Sequence, residues 1–488
     1  MSRFTRPDPS STRRLFIWIV GFAALSILGF GFDLGADPGA AAADGSRAES
    51  PSLDRAGSPE LAAETRSRPA GAAGPWPGWR GADRDSKVDG PPWPSDFSRL
   101  QKVWAVDELG PSYSGPIVGK ERVFTTETRD KTYEVVSAFD RGTGKLIWTR
   151  QWDGSVKVPF FAAKNGSWIR STPAYDGETL YVGGIREVLV ALDGATGALK
   201  WRLDFPAENG VSNPPFGFVC SPLVVGEHVY VEAANALFKL DKRTGTVIWK
   251  SESFSAGDMA SDGTFSSPVL AELAGKEQLV VQTRLELVGL DPRSGRVLWR
   301  RPVPNFRGMN ILTPLVHDDT VFTSTYRNAT YLFAVEAPAG GGDPTVRELW
   351  QNTAQGYMSS PVEIDGVGYL HLGNGRLTAF ELQSGKRLWT TQPFGPYWSM
   401  VAQGNRLLAL DADGELIYTR VDRSGYEVLD RRQISDRSTW AHLAVADDQL
   451  VIRDLHGLTL WRWADGPEPG GRDGAGDNAE VARSAGAR

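Results

Sequence analysis

The strongest constraint on this chain is one string that keeps returning. It reads AFDRGTGKLIW at 138–148, ALDGATGALKW at 191–201, KLDKRTGTVIW at 239–249, GLDPRSGRVLW at 289–299 and AFELQSGKRLW at 379–389. A stretch repeated in one frame reports architecture before it reports an active site. Each copy belongs to a larger unit of four apolar segments. The first is a Ser/Thr-Pro strand such as SGPIV at 114–118, STPAY at 171–175 or LTPLV at 312–316. The second follows closely, as in TLYVGG, HVYVEA, QLVVQT, TVFTST and VGYLHL; the third carries Ala-x-Asp and the fourth carries Trp. The recurrent prolines 116, 173, 222, 268, 314 and 361 lie 57, 49, 46, 46 and 47 residues apart. Four short β-branched and aromatic strands per unit, with turn residues between them, predict an all-β propeller with one unit per blade.

The outermost strand counts the blades. Trp104, Trp148, Trp201, Trp249, Trp299, Trp350 and Trp389 mark seven, and Leu429 in VDRSGYEVL keeps the spacing with Leu in place of Trp. The fifth copy is stretched by PAGGGDP, so that Trp350 lies 14 positions after Glu336 where Trp201 lies 8 after Asp193. The last unit, 440–463, supplies only three strands, while Trp104 stands in LQKVWAV, 100–106, ahead of any Ser-Pro strand. The expectation is eight blades, the last closed by the early strand, which removes the open edges of the array.

Physical chemistry explains the string. Asp140, Asp193, Asp241 and Asp291 open a turn in which a carboxylate accepts backbone N–H groups two or three residues ahead. Gly144, Gly197, Gly245, Gly295 and Gly385 supply the positive φ that closes the hairpin. The Trp covers the neighbouring blade; burying such a ring contributes about 2–3 kcal/mol, with about 1 kcal/mol more from aromatic packing. Its indole N–H is expected to reach a carbonyl on the next blade.

A-x-D-x-x-T-G-x-x-x-W, complete at 138–148 and 191–201, resembles the tryptophan-docking motif of pyrroloquinoline-quinone (PQQ) type β-propeller repeats. The resemblance spans about 100–463, and PWPGWRGADRD at 75–85 resembles a segment that precedes the propeller in many secreted bacterial members. It implies an eight-bladed propeller. Some relatives bind the quinone and oxidise alcohols or sugars; others, the BamB-like outer-membrane assembly factors, bind no cofactor and serve as scaffolds. The enzymes resemble one another in adjacent cysteines at the cofactor and in carboxylate and amide ligands for calcium. This chain has a single cysteine, Cys220, and no C-x-x-C-H haem signature. Cys220 is read as a small buried residue in a Ser-Pro strand. The scaffold branch, with no catalytic residues, metal or cofactor, is therefore the expectation, and a quinone-dependent alcohol or sugar dehydrogenase is the alternative.

Charge and the N-terminus place the rest. With 53 Lys and Arg against 59 Asp and Glu, the net charge of −6 provides no field for nucleic acid. Arg3, Arg6, Arg13 and Arg14 form a basic segment, 1–14, ahead of the uncharged run 15–32, long enough as a helix to cross a bilayer. Two readings stand: an uncleaved anchor that leaves the rest outside the cytoplasm, or a signal peptide cut near the alanines at 40–43. TRRLF at 12–16 resembles a twin-arginine export signal. Residues 33–75 and 465–488 have the composition of flexible segments, leaving 76–464 as the folded part. The expected setting is a single-pass protein of the cytoplasmic membrane, or a secreted one if the signal is cut. Its propeller would be monomeric and would meet envelope proteins or peptides.

Candidate binding residues follow from topology. Residues just before each first strand line one mouth of the central channel: Tyr113, Trp168, Arg170, Phe218, Phe265, Asn310, Tyr357, Trp398 and Trp440. An aromatic funnel with an arginine suits an extended peptide, a glycan or a flat ring, although the same rings could simply fill the channel. DADGE at 411–415 reads as an Asp-Gly turn rather than a calcium loop, which needs more oxygen ligands. NAT at 328–330 is a glycosylation pattern expected by chance, and His442 reads as a structural histidine.

Overall fold

The computed structural model describes residues 76–464 apart from 259 and 260; the runs 1–14, 15–32, 33–75 and 465–488 lie outside them. Among the described residues the helical pieces are a 3-10 turn, Phe160–Asn165, and a short helix, Phe205–Asn209. No helix there is long and apolar enough to cross a membrane. Everything else is strand and turn, in eight four-stranded antiparallel sheets. In seven of them the strands pair in chain order. The eighth is completed by Leu100–Val106, which pairs antiparallel with Leu458–Trp463 and sets Leu100 opposite Trp463. The fold is the all-β eight-bladed propeller that the repeat predicts.

The repeated string builds each blade's outer edge as its chemistry requires. Asp140 Oδ1 accepts from the Thr143 N–H at 2.8 Å and from its hydroxyl at 2.7 Å, and Asp193 and Thr196 repeat the pattern at 2.8 Å for both bonds. In the outer strand the register slips by one residue just before the Trp, between Ala138 and Phe139 and again between Ala191 and Leu192. Such a bulge re-aims the following side chain. It turns the indole across a small residue, Ala138 or Ala191, toward the next blade.

The docking bond then recurs around the ring. Trp104 donates to Arg141 O at 3.0 Å, Trp148 to Gly194 O at 3.1 Å and Trp201 to Lys242 O at 2.9 Å. Trp249 donates to Pro292 O at 3.2 Å, Trp350 to Leu382 O at 2.7 Å and Trp389 to Asp422 O at 2.9 Å. The turn glycine does more than accept positive φ. A Cβ on Gly144, Gly197, Gly245, Gly295 or Gly385 would lie 2.5–2.7 Å from the docked indole, so only a hydrogen fits.

Trp299 departs from this pattern. Its expected acceptor belongs to blade five, where the stretched turn leaves no matching carbonyl. The indole instead donates to Gln278 Oε1 of its own blade at 2.6 Å and lies over Gly289, whose Cβ would sit 2.2 Å away. Gly289 stands where blades one, two and six have Ala138, Ala191 and Ala379, and its missing methyl makes that room. At the seventh blade the expected substitute, Leu429, is the bulged residue, and Asp430 holds the Trp position opposite Tyr418. The large Tyr418 ring and residues from the leading segment fill the space, with Phe97 N–H donating to Asp430 Oδ2 at 2.7 Å. Phe97 stacks on Tyr418 at 5.6 Å, and Trp93 stacks on Trp463 at 6.1 Å.

The Ser/Thr-Pro strands form the inner wall. Their hydroxyls link blade to blade: Gly115 N–H donates to Thr172 Oγ1 at 2.9 Å, Thr172 to Ser221 Oγ at 3.1 Å, Ser221 to Ser267 Oγ at 3.0 Å and Thr313 to Ser360 Oγ at 3.0 Å. Proline follows each hydroxyl and brings no N–H that would need a partner in the channel. Its carbonyl is left as an acceptor.

Candidate functional site

The two ends of the channel differ. At the end carrying the repeated turns, residues 76–88 lie across the opening and touch every blade. Trp76 O accepts from Val118 N–H at 2.8 Å and Pro77 O from Tyr175 N–H at 2.7 Å, which engages blades one and two. Arg84 donates to Ser221 O at 3.1 Å, to Pro222 O, and to Pro268 O at 3.0 Å, in blades three and four. Trp79 Nε1 donates to Thr313 Oγ1 at 2.9 Å, and Arg80 donates to Pro361 O, in blades five and six. Val88 N–H donates to Ala402 O at 2.9 Å in blade seven. His442 of blade eight packs edge-on against Trp79 at 5.2 Å, with Ser86 Oγ 3.4 Å from its Nε2.

Both arginines are buried, at 1% and 5% exposure, and burial lowers each guanidinium to about 10, which leaves them charged at neutral pH. Planar five-donor groups suit a ring of inward carbonyls better than a point charge does. Burial pushes His442 down to about 3, so it stays neutral beside them. A structural role for His442 accords with this position.

The opposite mouth carries the residues expected from the sequence, in separate groups. Tyr113 stacks on Trp440 at 5.0 Å, and the Arg170 guanidinium lies 5.9 Å from the Tyr113 ring. Arg170 is pinned by the Trp168 and Gly166 carbonyls, each at 3.1 Å. Phe265 lies under the Arg284 guanidinium at 4.4 Å, beside Phe216 at 5.5 Å. Tyr357 packs against Tyr326 at 4.4 Å.

Three expected mouth residues are core instead. Phe218 is fully buried between blades two and three, where Gly183 leaves room for its ring. Trp398 is 1% exposed and stacks on His371 at 4.9 Å, because its inner strand begins at that residue and carries it between blades six and seven. Asn310 is buried and donates to Thr283 O at 3.3 Å. The aromatic funnel is therefore smaller than the sequence suggests.

A second inter-blade device escaped the sequence reading. Glu134 accepts from the Ile185 N–H of blade two and from Trp152 Nε1 at 2.8 Å; Glu187, at the same repeat position, accepts from the Ala234 N–H of blade three at 2.9 Å. Asn235 takes that position next and accepts from Gly263 N–H at 2.7 Å. The signal was a Glu four residues before the Ala of Ala-x-Asp in two consecutive copies. Burial pushes Glu134 and Glu187 up to about 7, and Glu232, held by the Thr264 hydroxyl at 2.9 Å, up to about 8.

The remaining candidates are structural in their contacts. Asp411 accepts from Asp413 N–H at 3.0 Å and Glu415 N–H at 2.9 Å, a turn bond set, and Glu415 pairs with Arg431. Asn328 donates its amide to Pro304 O at 2.7 Å. Cys220 is buried and free, its thiol pushed up by desolvation. Among the described residues no group of three or more His, Cys, Asp or Glu side chains is placed to hold a metal ion. A lone buried thiol with these scattered carboxyls does not fit the vicinal cysteines and calcium ligands that quinone enzymes of the resemblance use.

Comparison with known proteins agrees with the geometry. A family model described as outer membrane protein assembly factor BamB matches residues 132–391, more than half of the chain. The chain is 21% identical over 336 residues to the outer membrane protein assembly factor BamB of Yersinia pestis, covering 67% of this chain and 69% of that protein. It is 23% identical over 218 residues to tetrathionate hydrolase of Acidithiobacillus ferrooxidans, covering 41% of this chain and 38% of that one. The crystal structure of BamB from Moraxella catarrhalis superposes with a TM-score of 0.52 at 17% identity, covering 74% of this chain and 99% of that chain. At such identity the superposition speaks for the fold alone.

Proposed function

The chain belongs to the outer membrane protein assembly factor BamB family of PQQ-like β-propellers, and on that premise we propose that it is a non-catalytic scaffold of the cell envelope, holding proteins against the open mouth of its propeller. The observation that carries this reading is the difference between the two ends. One end is filled by residues 76–88 through buried arginines, whereas the other offers half-buried rings and guanidinium groups at Tyr113, Arg170, Phe265, Tyr357 and Trp440. Rings with a polar edge favour association with polypeptide at little entropic cost.

In the same reading the uncharged run 15–32 tethers the propeller outside the cytoplasm, with the basic segment 1–14 inside. Photo-crosslinking from position 113 or 357 in the native envelope, followed by mass spectrometry, tests the scaffold. Discrete protein adducts from these positions, and none from Lys120 at the filled end, are expected. Equal labelling from both ends would refute the assignment. Extraction of the membrane fraction with carbonate tests the tether, which predicts that the full chain stays in the pellet.

An enzymatic reading draws on the partial likeness to tetrathionate hydrolase. Addition of pyrroloquinoline quinone and calcium to the purified protein, with cofactor absorbance and dye reduction as readouts, decides for or against its quinone-dependent form. Turnover of an alcohol or aldose would displace the scaffold.

A further inference from the structure

One sector of the open mouth differs in kind from the rest of this acidic chain. The loops of blades five and six that face it, 303–312, 325–329, 353–359 and 373–376, contain three arginines and not one Asp or Glu. Two of these arginines stand on aromatic rings. The Arg327 guanidinium lies 4.8 Å from the Phe306 ring and 5.3 Å from the Tyr326 ring, while Arg307 lies 5.1 Å from Phe306. Tyr357 continues the layer at 4.4 Å from Tyr326.

The platform is held rigidly. Phe306 N–H donates to Tyr326 O at 3.1 Å, Thr325 Oγ1 to Pro304 O at 2.8 Å and Asn328 Nδ2 to Pro304 O at 2.7 Å, which ties the two loops together. Arg307 and Arg327 are both exposed. Among the described residues Arg327 makes no ion pair. The Arg327 guanidinium, held by its face on the Phe306 and Tyr326 rings, keeps its donor edge in water, preorganised for a bidentate bond to a carboxylate.

We propose that the Phe306, Arg307, Tyr326, Arg327 and Tyr357 platform is the docking site for an acidic polypeptide segment, its carboxylates taken by Arg327 in the field of the neighbouring Arg307 and its apolar or aromatic side chains laid on the tyrosines. The inference rests on the scaffold reading and names the chemistry of its partner. Charge complementarity selects the occupant: on a chain of net charge −6, a carboxylate-free, cationic sector repels basic segments and attracts acidic ones more strongly than its surroundings do. Peptide is favoured over an acidic glycan because the tyrosine layer adds apolar area beside the cations.

Fluorescence anisotropy with labelled poly(Glu,Tyr) copolymer as the probe tests it on the purified full chain. Binding that weakens as salt is raised is expected. Arg307→Gln with Arg327→Gln should weaken it about tenfold or more, and Arg327→Lys, which keeps the charge but loses the fork, should weaken it by an intermediate factor. Lys120→Gln at the filled end should leave it unchanged. Far-ultraviolet and near-ultraviolet circular dichroism would show that each variant is folded. Undiminished affinity in the double variant, or tighter binding of polygalacturonate than of the copolymer, would overturn the proposal. The envelope crosslinking experiment separates this failure from that of the scaffold reading: adducts that persist in the double variant sink the platform alone, whereas adducts absent from the wild type sink the scaffold.

Discussion

Trp148 gives its indole N–H to Gly194 O of the following blade at 3.1 Å, and Gly197 of that same turn lies flat against the ring. A methyl on Gly197 would come within 2.6 Å of the indole, at a φ of 69°. Gly197→Ala should therefore cost about 2–3 kcal/mol, the sum of overpacking and backbone strain. Gly226 has a φ of 54° and nothing within 4 Å of an added Cβ, so Gly226→Ala should cost only the strain, about 1 kcal/mol. Urea midpoints of the two variants compare them. Equal losses would show that the contact with Trp148 contributes nothing.

Arg84→Met tests the plugged end. It removes the guanidinium donors to the Ser221, Pro222 and Pro268 carbonyls, leaving buried acceptors short of a partner at about 1–3 kcal/mol. Trp79→Phe deletes only the bond to Thr313, at about 1 kcal/mol. Differential scanning calorimetry should place the midpoint of Arg84→Met below that of Trp79→Phe, and that of Trp79→Phe below the wild type.

The buried glutamates give the propeller a pH dependence of definite sign. A carboxyl whose folded pKa is about 7, against about 4.3 unfolded, binds its proton more tightly in the folded state. Its contribution is complete below about pH 4.3 and is lost as pH rises through 7. Among the described residues Glu187 accepts a single bond, from the Ala234 N–H, so Glu187→Gln keeps that acceptor without the titration. The variant should flatten the fall in stability between about pH 4.5 and 7.5, and above pH 8 it should exceed the wild type by up to about 3 kcal/mol. Chemical denaturation at a series of pH values checks this; parallel curves would remove Glu187 as a source of the slope.

Two N-terminal deletions separate the plug from the closing strand. A chain beginning at residue 89 keeps Leu100–Val106 against Leu458–Trp463 and should remain monomeric, though less stable. A chain beginning at 107 exposes the edge of Leu458–Trp463 and should associate through it. Light scattering after size exclusion distinguishes them.

Much of this architecture was legible because the repeat states its own chemistry. Asp140, Gly144 and Trp148 specify a turn, a φ sign and a docking ring within eleven residues, and the orphan strand at 100–106 announced the closure. The mouth was less legible. Position before a first strand does not say which way a side chain turns, so Trp398, where the strand starts one residue early, went into the core, and Phe218 filled the space that Gly183 vacates. Arg80 and Arg84 were hidden for another reason: their partners are main-chain carbonyls more than a hundred residues away, and a carbonyl leaves no trace in the identity of its residue. The substitution of Gln278 for a carbonyl acceptor at Trp299 became visible only once the stretched turn of blade five was placed.

The pairing of Leu100 with Trp463 also fixes an order of events. The first strand to leave the ribosome must wait for the last before it has a partner, and Arg80 waits almost as long for Pro361. Contacts so remote in sequence make closure slow. A nascent chain therefore carries an unfinished circle, with its terminal sheet open, until residue 463 has emerged. Whatever shelters the polypeptide on its way must hold nearly all of it at once.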